Sequence, residues 1–288
     1  MKLALGTVQF GLDYGVANTS GRIASEEAKS ILQLASASGM DTLDTAIAYG
    51  DSEAVLGQLG VQSWKVVSKL PAVPEGCADV LLWVKQQTQG SLTRLGVAQL
   101  HGVLLHRPGQ LLEKMGPALF EALQALKTDG LVCNIGVSVY GPAELDALFE
   151  KYRFDLIQAP FNILDRGLVE SGWAARLKAA GVEVHTRSVF LQGLLLMSEE
   201  QRPSKFNPWQ SIWQEWTRWL QDTELRPLQA CLQYVVSQSS IDRVVVGVDT
   251  SVQLKEIIRA ADGKLASLPS FGPLLDERLV NPAVWNQL

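Results

Sequence analysis

The chain has 288 residues, 47% of them hydrophobic, and its 30 acidic against 25 basic side chains leave a net charge of −5. That balance offers no basic face for neutralising phosphates, which argues against a nucleic-acid partner, and no apolar run approaches the roughly eighteen residues of a membrane span. Met1-Lys2-Leu3-Ala4-Leu5-Gly6-Thr7 turns polar too early for a secretory signal, and the three scattered cysteines (Cys77, Cys133, Cys231) suit neither a disulfide framework nor a metal site, so a cytoplasmic protein with reduced thiols and no bound metal is expected.

In chain order, short β-branched runs alternate with longer helical stretches, the mark of βαβ units and a parallel sheet. Strands are expected at 3–6, 42–45, 66–69, 102–106, 135–139, 156–159, 182–187 and 244–246. Ser25-Glu26-Glu27-Ala28 opens a helix with an N-cap hydroxyl, and Gly39 closes it. Gly141-Pro142-Ala143-Glu144 opens another with proline in its first turn, while Gly130 and Gly181 stand where helices end ahead of the fifth and seventh strands. Eight such units predict an α/β fold, a (β/α)8 TIM barrel, in place of an open doubly wound sheet. No linker or composition shift divides residues 1–288, so one domain is expected. Two stretches exceed the repeating unit: an insertion at 192–226 with a helix over 208–221, and a proline-rich tail at 263–288 expected to fold back as an ordered arm.

Asp44, Tyr49, Lys69 and His106 each stand where a strand-like run gives way to a loop, so a β/α barrel would bring them to its catalytic face. A phenol of ordinary pKa, roughly 10, is a poor acid at neutral pH, and a neighbouring ammonium favours its ionised form. A carboxylate beside the lysine holds it charged and in place, and an imidazole can orient a substrate carbonyl. Such a set hands a proton to a carbonyl oxygen as charge develops there. None of the four donates a hydride, so a reduction needs a nicotinamide. Taken singly, Tyr49 also reads as a loop tyrosine, Lys69 as a solvated strand end and His106 as a satisfied core histidine. A desolvated Lys69 would suit a Schiff-base lyase, although Asp44 beside it keeps the amine protonated. His101 and His185, at the start of a strand and inside one, are read as structural. Trp209, Trp213, Trp216 and Trp219 share one helix face; they read as a stripe packed on the barrel wall, or else as an aromatic platform over its mouth.

Several segments, in order along the chain, resemble the aldo-keto reductase superfamily. They are Gly6-Thr7-Val8-Gln9-Phe10-Gly11, Asp44-Thr45-Ala46-Ile47-Ala48-Tyr49-Gly50, Ser68-Lys69-Leu70-Pro71, Leu104-Leu105-His106-Arg107-Pro108, Ile135-Gly136-Val137-Ser138 and Ile157-Gln158. The resemblance implies a β/α barrel that reduces an aldehyde or ketone with a nicotinamide cofactor. Tyr49 would be the proton donor, Lys69 and Asp44 would tune it, and His106 would orient the carbonyl. By the same resemblance Gly6, Thr7 and Asp44 border the cofactor, and Ser138 and Gln158 hold its carboxamide, with Val139 replacing a common asparagine. Arg187 takes the place of an aromatic that stacks on the nicotinamide, and backbone groups of Ser188, Leu191 and Gly193 approach the pyrophosphate.

Gly247, Thr250, Gln253 and Glu256 fall in the family's adenosine-phosphate segment. The basic residues that usually clamp a 2′-phosphate are absent there, Asp249 would repel one, and Ile257 replaces an asparagine. The resemblance implies NADPH, with NADH left open. Some relatives on this fold act as regulatory or interaction subunits, a second reading of the same resemblance. The opening residues 3–18 are similar to bacterial members linked to sugar or surface-polysaccharide synthesis, which attaches a sugar-derived carbonyl substrate to the expectation.

Overall fold

The expected repeat closes on itself. In a computed structural model that describes every residue except 16–20, 264, 266, 270 and 272–275, eight parallel strands pair in chain order as a closed barrel. They are β1 (Leu3–Gly6), β2 (Thr42–Asp44), β3 (Lys65–Leu70), β4 (Leu100–Leu105), β5 (Val132–Ser138), β6 (Leu156–Pro160), β7 (Glu183–Arg187) and β8 (Arg243–Gly247). Closure comes from β1 against β8, with Leu5 opposite Val246 and Gly6 opposite Gly247. Leu5, Leu43, Val67, Leu104, Leu156, Val184 and Val244 have no exposed surface. Helices cover the outside, so the strands are apolar on both faces, as a parallel sheet requires.

Helix ends fall where the glycines predict. Gly130 and Gly181 adopt φ of 72° ahead of β5 and β7, a left-handed conformation glycine takes without a Cβ penalty. β1 has the expected limits, and the later strands differ from the expectation by a residue or more at one end or both. β4 starts at Leu100 because Leu100 pairs with Val132, and it stops at Leu105, leaving His106 as the first loop residue. The partner strand sets how far a ladder runs, and local hydropathy does not report it.

In the insertion, a 3-10 segment Ser204–Trp209 leads into a helix Gln210–Thr223, shifted two residues toward the C-terminus from the predicted 208–221. All four tryptophans of the stripe are buried. Trp213 Nε1 donates to Phe206 O (3.0 Å), Trp216 stacks on Trp219 (5.6 Å), and Trp216 lies 6.5 Å from the tail's Phe271. The stripe is packed, with contacts to the 3-10 segment and to the tail, and none of its four tryptophans lines the large cavity that Tyr49 borders. The described part of the tail returns to the barrel: Arg166 donates to Pro269 O (3.0 Å), Lys205 to Trp285 O (2.9 Å), and Phe206 meets Trp285 edge-on at 4.8 Å. The rest of that predicted arm, and residues 16–18 of the opening motif, lie outside the described residues. No described helix is long and apolar enough to cross a membrane.

The N-terminal mouth of the barrel is plugged by polar side chains. Glu183 accepts from His101 Nε2 (2.8 Å) and His185 Nε2 (2.9 Å), and Asn134 donates to His101 O (2.9 Å). Burial opposes a charge on Glu183, but the two imidazole hydrogen bonds outweigh it and hold its carboxyl far below the usual range.

Candidate active site

At the opposite mouth, the loop carrying Tyr49 is fastened to the loop after β1. The Thr7 amide and hydroxyl both donate to Asp44 O (3.0 Å each), and Ser52 Oγ donates to Thr7 O (2.8 Å) and lies 2.9 Å from Thr7 Oγ1. A Cβ at Gly11 would fall 1.8 Å from Tyr49 O. Only glycine permits that backbone approach, so Gly11 locates Tyr49 without touching its ring.

β2 delivers Asp44 and β3 delivers Lys69, both almost fully buried. Lys69 Nζ donates to Asp44 Oδ1 (2.6 Å), Thr45 O (2.9 Å) and Tyr49 Oη (3.5 Å), which uses all three ammonium protons. Burial opposes the charge on Lys69, yet Asp44 and Tyr49 overcome it, and its pKa sits above the ordinary value. The second carboxylate oxygen of Asp44 accepts from Gln158 Nε2 (2.6 Å), whose carbonyl in turn accepts from Ser138 Oγ (3.3 Å). Because Tyr49 Oη accepts from Lys69, its own O–H stays available to donate elsewhere.

His106 presents its ring edge-on to Tyr49, centroids 6.0 Å apart. Burial, followed by the Lys69 charge, lowers its pKa to about 4, so the imidazole is neutral at neutral pH. Arg187, at the end of β7, donates to Val139 O (3.1 Å) and Ser188 Oγ (3.3 Å), and its guanidinium lies 4.7 Å from the Tyr140 ring centroid.

These elements border a cavity of about 530 Å³. Asp44 and Tyr49 line one part of it with Gly6, Thr7 and Arg187, and Gly247, Gln253 and Glu256 line another. Ser188 and Gly193 line it from the loop after β7. Lys69 and His106 do not line it; both bear on Tyr49. Ser138 and Gln158 are buried against each other behind Asp44. Leu191 is fully buried, and Thr250 caps the helix Ser251–Ala260. The loop after β7 bends sharply, with φ of 63° at Ser188, 48° at Leu191, 52° at Gln192 and 92° at Gly193. Within this loop the Leu191 amide donates to Ser188 O and the Gly193 amide to Phe190 O (2.9 Å each). Non-glycine residues at such φ cost of order 1–3 kcal/mol each, and Asn162 Nδ2 anchors the turn at Ser188 O (3.1 Å).

Several lining residues escaped the sequence reading, Gln9, Tyr14 and Arg226 among them. Gln9 is buried, and its Oε1 has no hydrogen-bond partner within the described protein. A Cβ at Gly247 would lie 2.7 Å from Gln9 Nε2, so the glycine makes room for the amide. An orphaned buried acceptor on a cavity wall awaits a ligand donor. The available signal was an amide within the apolar run Val8-Gln9-Phe10.

The model of the Aldo/keto reductase family matches residues 2–267. The chain belongs to that family. A curated family relative, the uncharacterized oxidoreductase YqkF of Bacillus subtilis, is 26% identical over 285 residues, covering 91% of this chain and 92% of the relative. A solved aldo-keto reductase of Pseudomonas aeruginosa is 25% identical at a TM-score of 0.67, covering 90% of this chain and 89% of the other. The holo form of an aldo-keto reductase from Bacillus halodurans superposes at a TM-score of 0.72 with 20% identity, covering 92% and 88% of the two chains, and supports the fold alone. As a member of this family the chain is an oxidoreductase.

Proposed function

We propose that this aldo/keto reductase family member reduces an aldehyde or ketone to an alcohol with a nicotinamide dinucleotide, Tyr49 supplying the proton. The observation that carries the reading is the Lys69 ammonium, buried between Asp44 and Tyr49 and donating to Tyr49 Oη on the wall of the large cavity. The cavity suits such a cofactor: Gln9 offers an orphaned acceptor, Gly6 and Gly247 bring backbone to its wall, and Arg187 adds a guanidinium held over the Tyr140 ring. Ser138 and Gln158 would act on it from behind Asp44, and Ser188, Leu191 and Gly193 would shape its wall. When bound, the nicotinamide supplies the hydride.

The remaining work falls to side chains of this chain. As negative charge builds on the carbonyl oxygen, the Tyr49 hydroxyl gives up its proton, and Lys69 stabilises the phenolate left behind. Asp44 keeps Lys69 charged and aimed. Neutral His106 stands edge-on beside Tyr49, where its ring N–H would orient a carbonyl held at the phenol. The raised pKa of Lys69 also opposes the Schiff-base alternative, which needs a free amine. NADPH is the cofactor form the family resemblance brings, and a sugar-derived carbonyl in the cytoplasm is the substrate setting it brings.

The test mixes protein, reduced nicotinamide cofactor and a panel of aldehydes and ketones while nicotinamide absorbance is followed. Wild type should turn over, and Tyr49→Phe should lose about 10²–10⁴-fold in rate with cofactor binding intact. Full activity in Tyr49→Phe would sink the proposal.

A further inference from the structure

We infer that the form of the cofactor taken by this cavity is NADH, because the wall facing its adenosine end is built for a free ribose 2′-hydroxyl and against a 2′-phosphate. The inference rests on the nicotinamide reading above. The two coenzymes differ only by that phosphate, which brings close to two negative charges and acceptor oxygens that need donors. Proteins meet such a group with an arginine fork, a lysine, or free N–H groups at a helix start.

With the nicotinamide end at Tyr49, the far wall comes from residues 226–228 and from Asp249, Gln253, Glu256 and Ile257, the last three on the helix Ser251–Ala260. Two carboxylates, Asp249 and Glu256, lie on it. Among the described residues of that wall Arg226 is the one cation, and its Nε is directed at Gln229 Oε1 (3.4 Å).

The helix start is already filled. Ser251 N–H donates to Glu27 Oε1 (2.5 Å), Gln253 N–H to Thr250 Oγ1 (3.1 Å), and Asp249 N–H to Gln253 Oε1 (2.7 Å). A phosphate on this wall would lie beside the Asp249 and Glu256 carboxylates, and the Ser251 amide of the adjoining helix start is already taken by Glu27. A ribose hydroxyl, by contrast, donates to a carboxylate, the chemistry by which acidic side chains select the unphosphorylated dinucleotide in other folds. Gln9, orphaned on the same cavity, independently marks the space as one that receives a polar ligand.

The test is a binding titration of NADH and of NADPH, read by quenching of intrinsic tryptophan fluorescence, on wild type, Asp249→Ser, Asp249→Arg and Arg226→Ala. Wild type should bind NADH about tenfold or more tighter. Asp249→Ser should narrow the gap, and Asp249→Arg should close or invert it. Thr250 remains as the helix cap in both variants, so folding should be retained, with melting temperature as the check. NADPH binding as well as NADH, a ratio indifferent to Asp249, or NADPH affinity that collapses in Arg226→Ala would each overturn the inference. Binding of neither coenzyme overturns it together with the nicotinamide reading. NADH binding without carbonyl turnover upholds it while removing the proposed reaction.

Discussion

The two mouths of the barrel hold the same kinds of groups to opposite ends. At the N-terminal mouth Glu183 takes hydrogen bonds from His101 and His185, which tie the three side chains to one another, while His185 Nδ1 is buried with no partner among the described residues. At the C-terminal mouth Lys69 satisfies Asp44 and Tyr49, but the set stays open, because Tyr49 faces a cavity of about 530 Å³ with a proton still to give. The first cluster turns its carboxylate onto two imidazoles; the second leaves Tyr49 facing the cavity. The contrast matches the division of β/α barrels into a stability face and a catalytic face.

The comparison is most severely tested by Lys69→Met. Removing the ammonium leaves Asp44 buried and uncompensated, which should destabilise the protein by about 3–5 kcal/mol and remove turnover as well. Melting temperature and carbonyl reduction would be measured together. A variant with full stability would mean that the pair is not a buried one in solution.

A smaller effect, confined to stability, is expected from Glu183→Gln at the other mouth: a loss of about 1–3 kcal/mol with turnover unchanged. Its pH dependence follows from linkage. The folded pKa of Glu183 lies below its ordinary value, so the folded protein binds fewer protons there than the unfolded chain. The contribution is complete above the ordinary carboxylate pKa, roughly 4.3, and is lost as pH falls below it. The melting gap between wild type and Glu183→Gln should therefore be wide at neutral pH and shrink in acid. A gap that widens in acid would contradict the assignment.

The finest distinction concerns His106. With a folded pKa of about 4 against an ordinary 6.5, the unfolded chain takes up this proton first, so stability falls as pH drops below the ordinary value toward 4. The pH profile of kcat/KM should show no inflection from His106 between pH 5 and 8, and His106→Asn should flatten the acid loss of stability. An inflection near the ordinary imidazole value that disappears in the variant would show that the ring is charged at work.

Much of the fold could be read from the chain because its signals are local. Apolar runs marked the strands, and Gly130 and Gly181 marked helix ends, since each is decided within a few residues. The strand limits could not be read, because Leu100 joins β4 through Val132, thirty-odd positions away in the chain. Asp44, Tyr49, Lys69 and His106 were visible because each lies at a strand's C-terminal end or in the loop that follows it, and those ends converge. Gln9, Ser52 and Gly11 were not singled out, because what distinguishes them is a neighbour: Gly247 for Gln9, Thr7 for Ser52, the Tyr49 backbone for Gly11. The strained loop at 188–193 gave no advance sign either, since Ser188, Leu191 and Gln192 adopt positive φ where glycine would have announced it.

The order of residues alone was enough to specify eight βα units and the chemical types at their ends, because periodicity and residue chemistry are properties of short segments. Only the closed barrel decided that Lys69 would lose its water and lie 2.6 Å from Asp44, that Tyr49 would face empty space, and that Glu27 would occupy the helix start at Ser251. Burial, hydrogen-bond saturation and cavity shape depend on which distant segments meet, and that is fixed when the first strand pairs with the last.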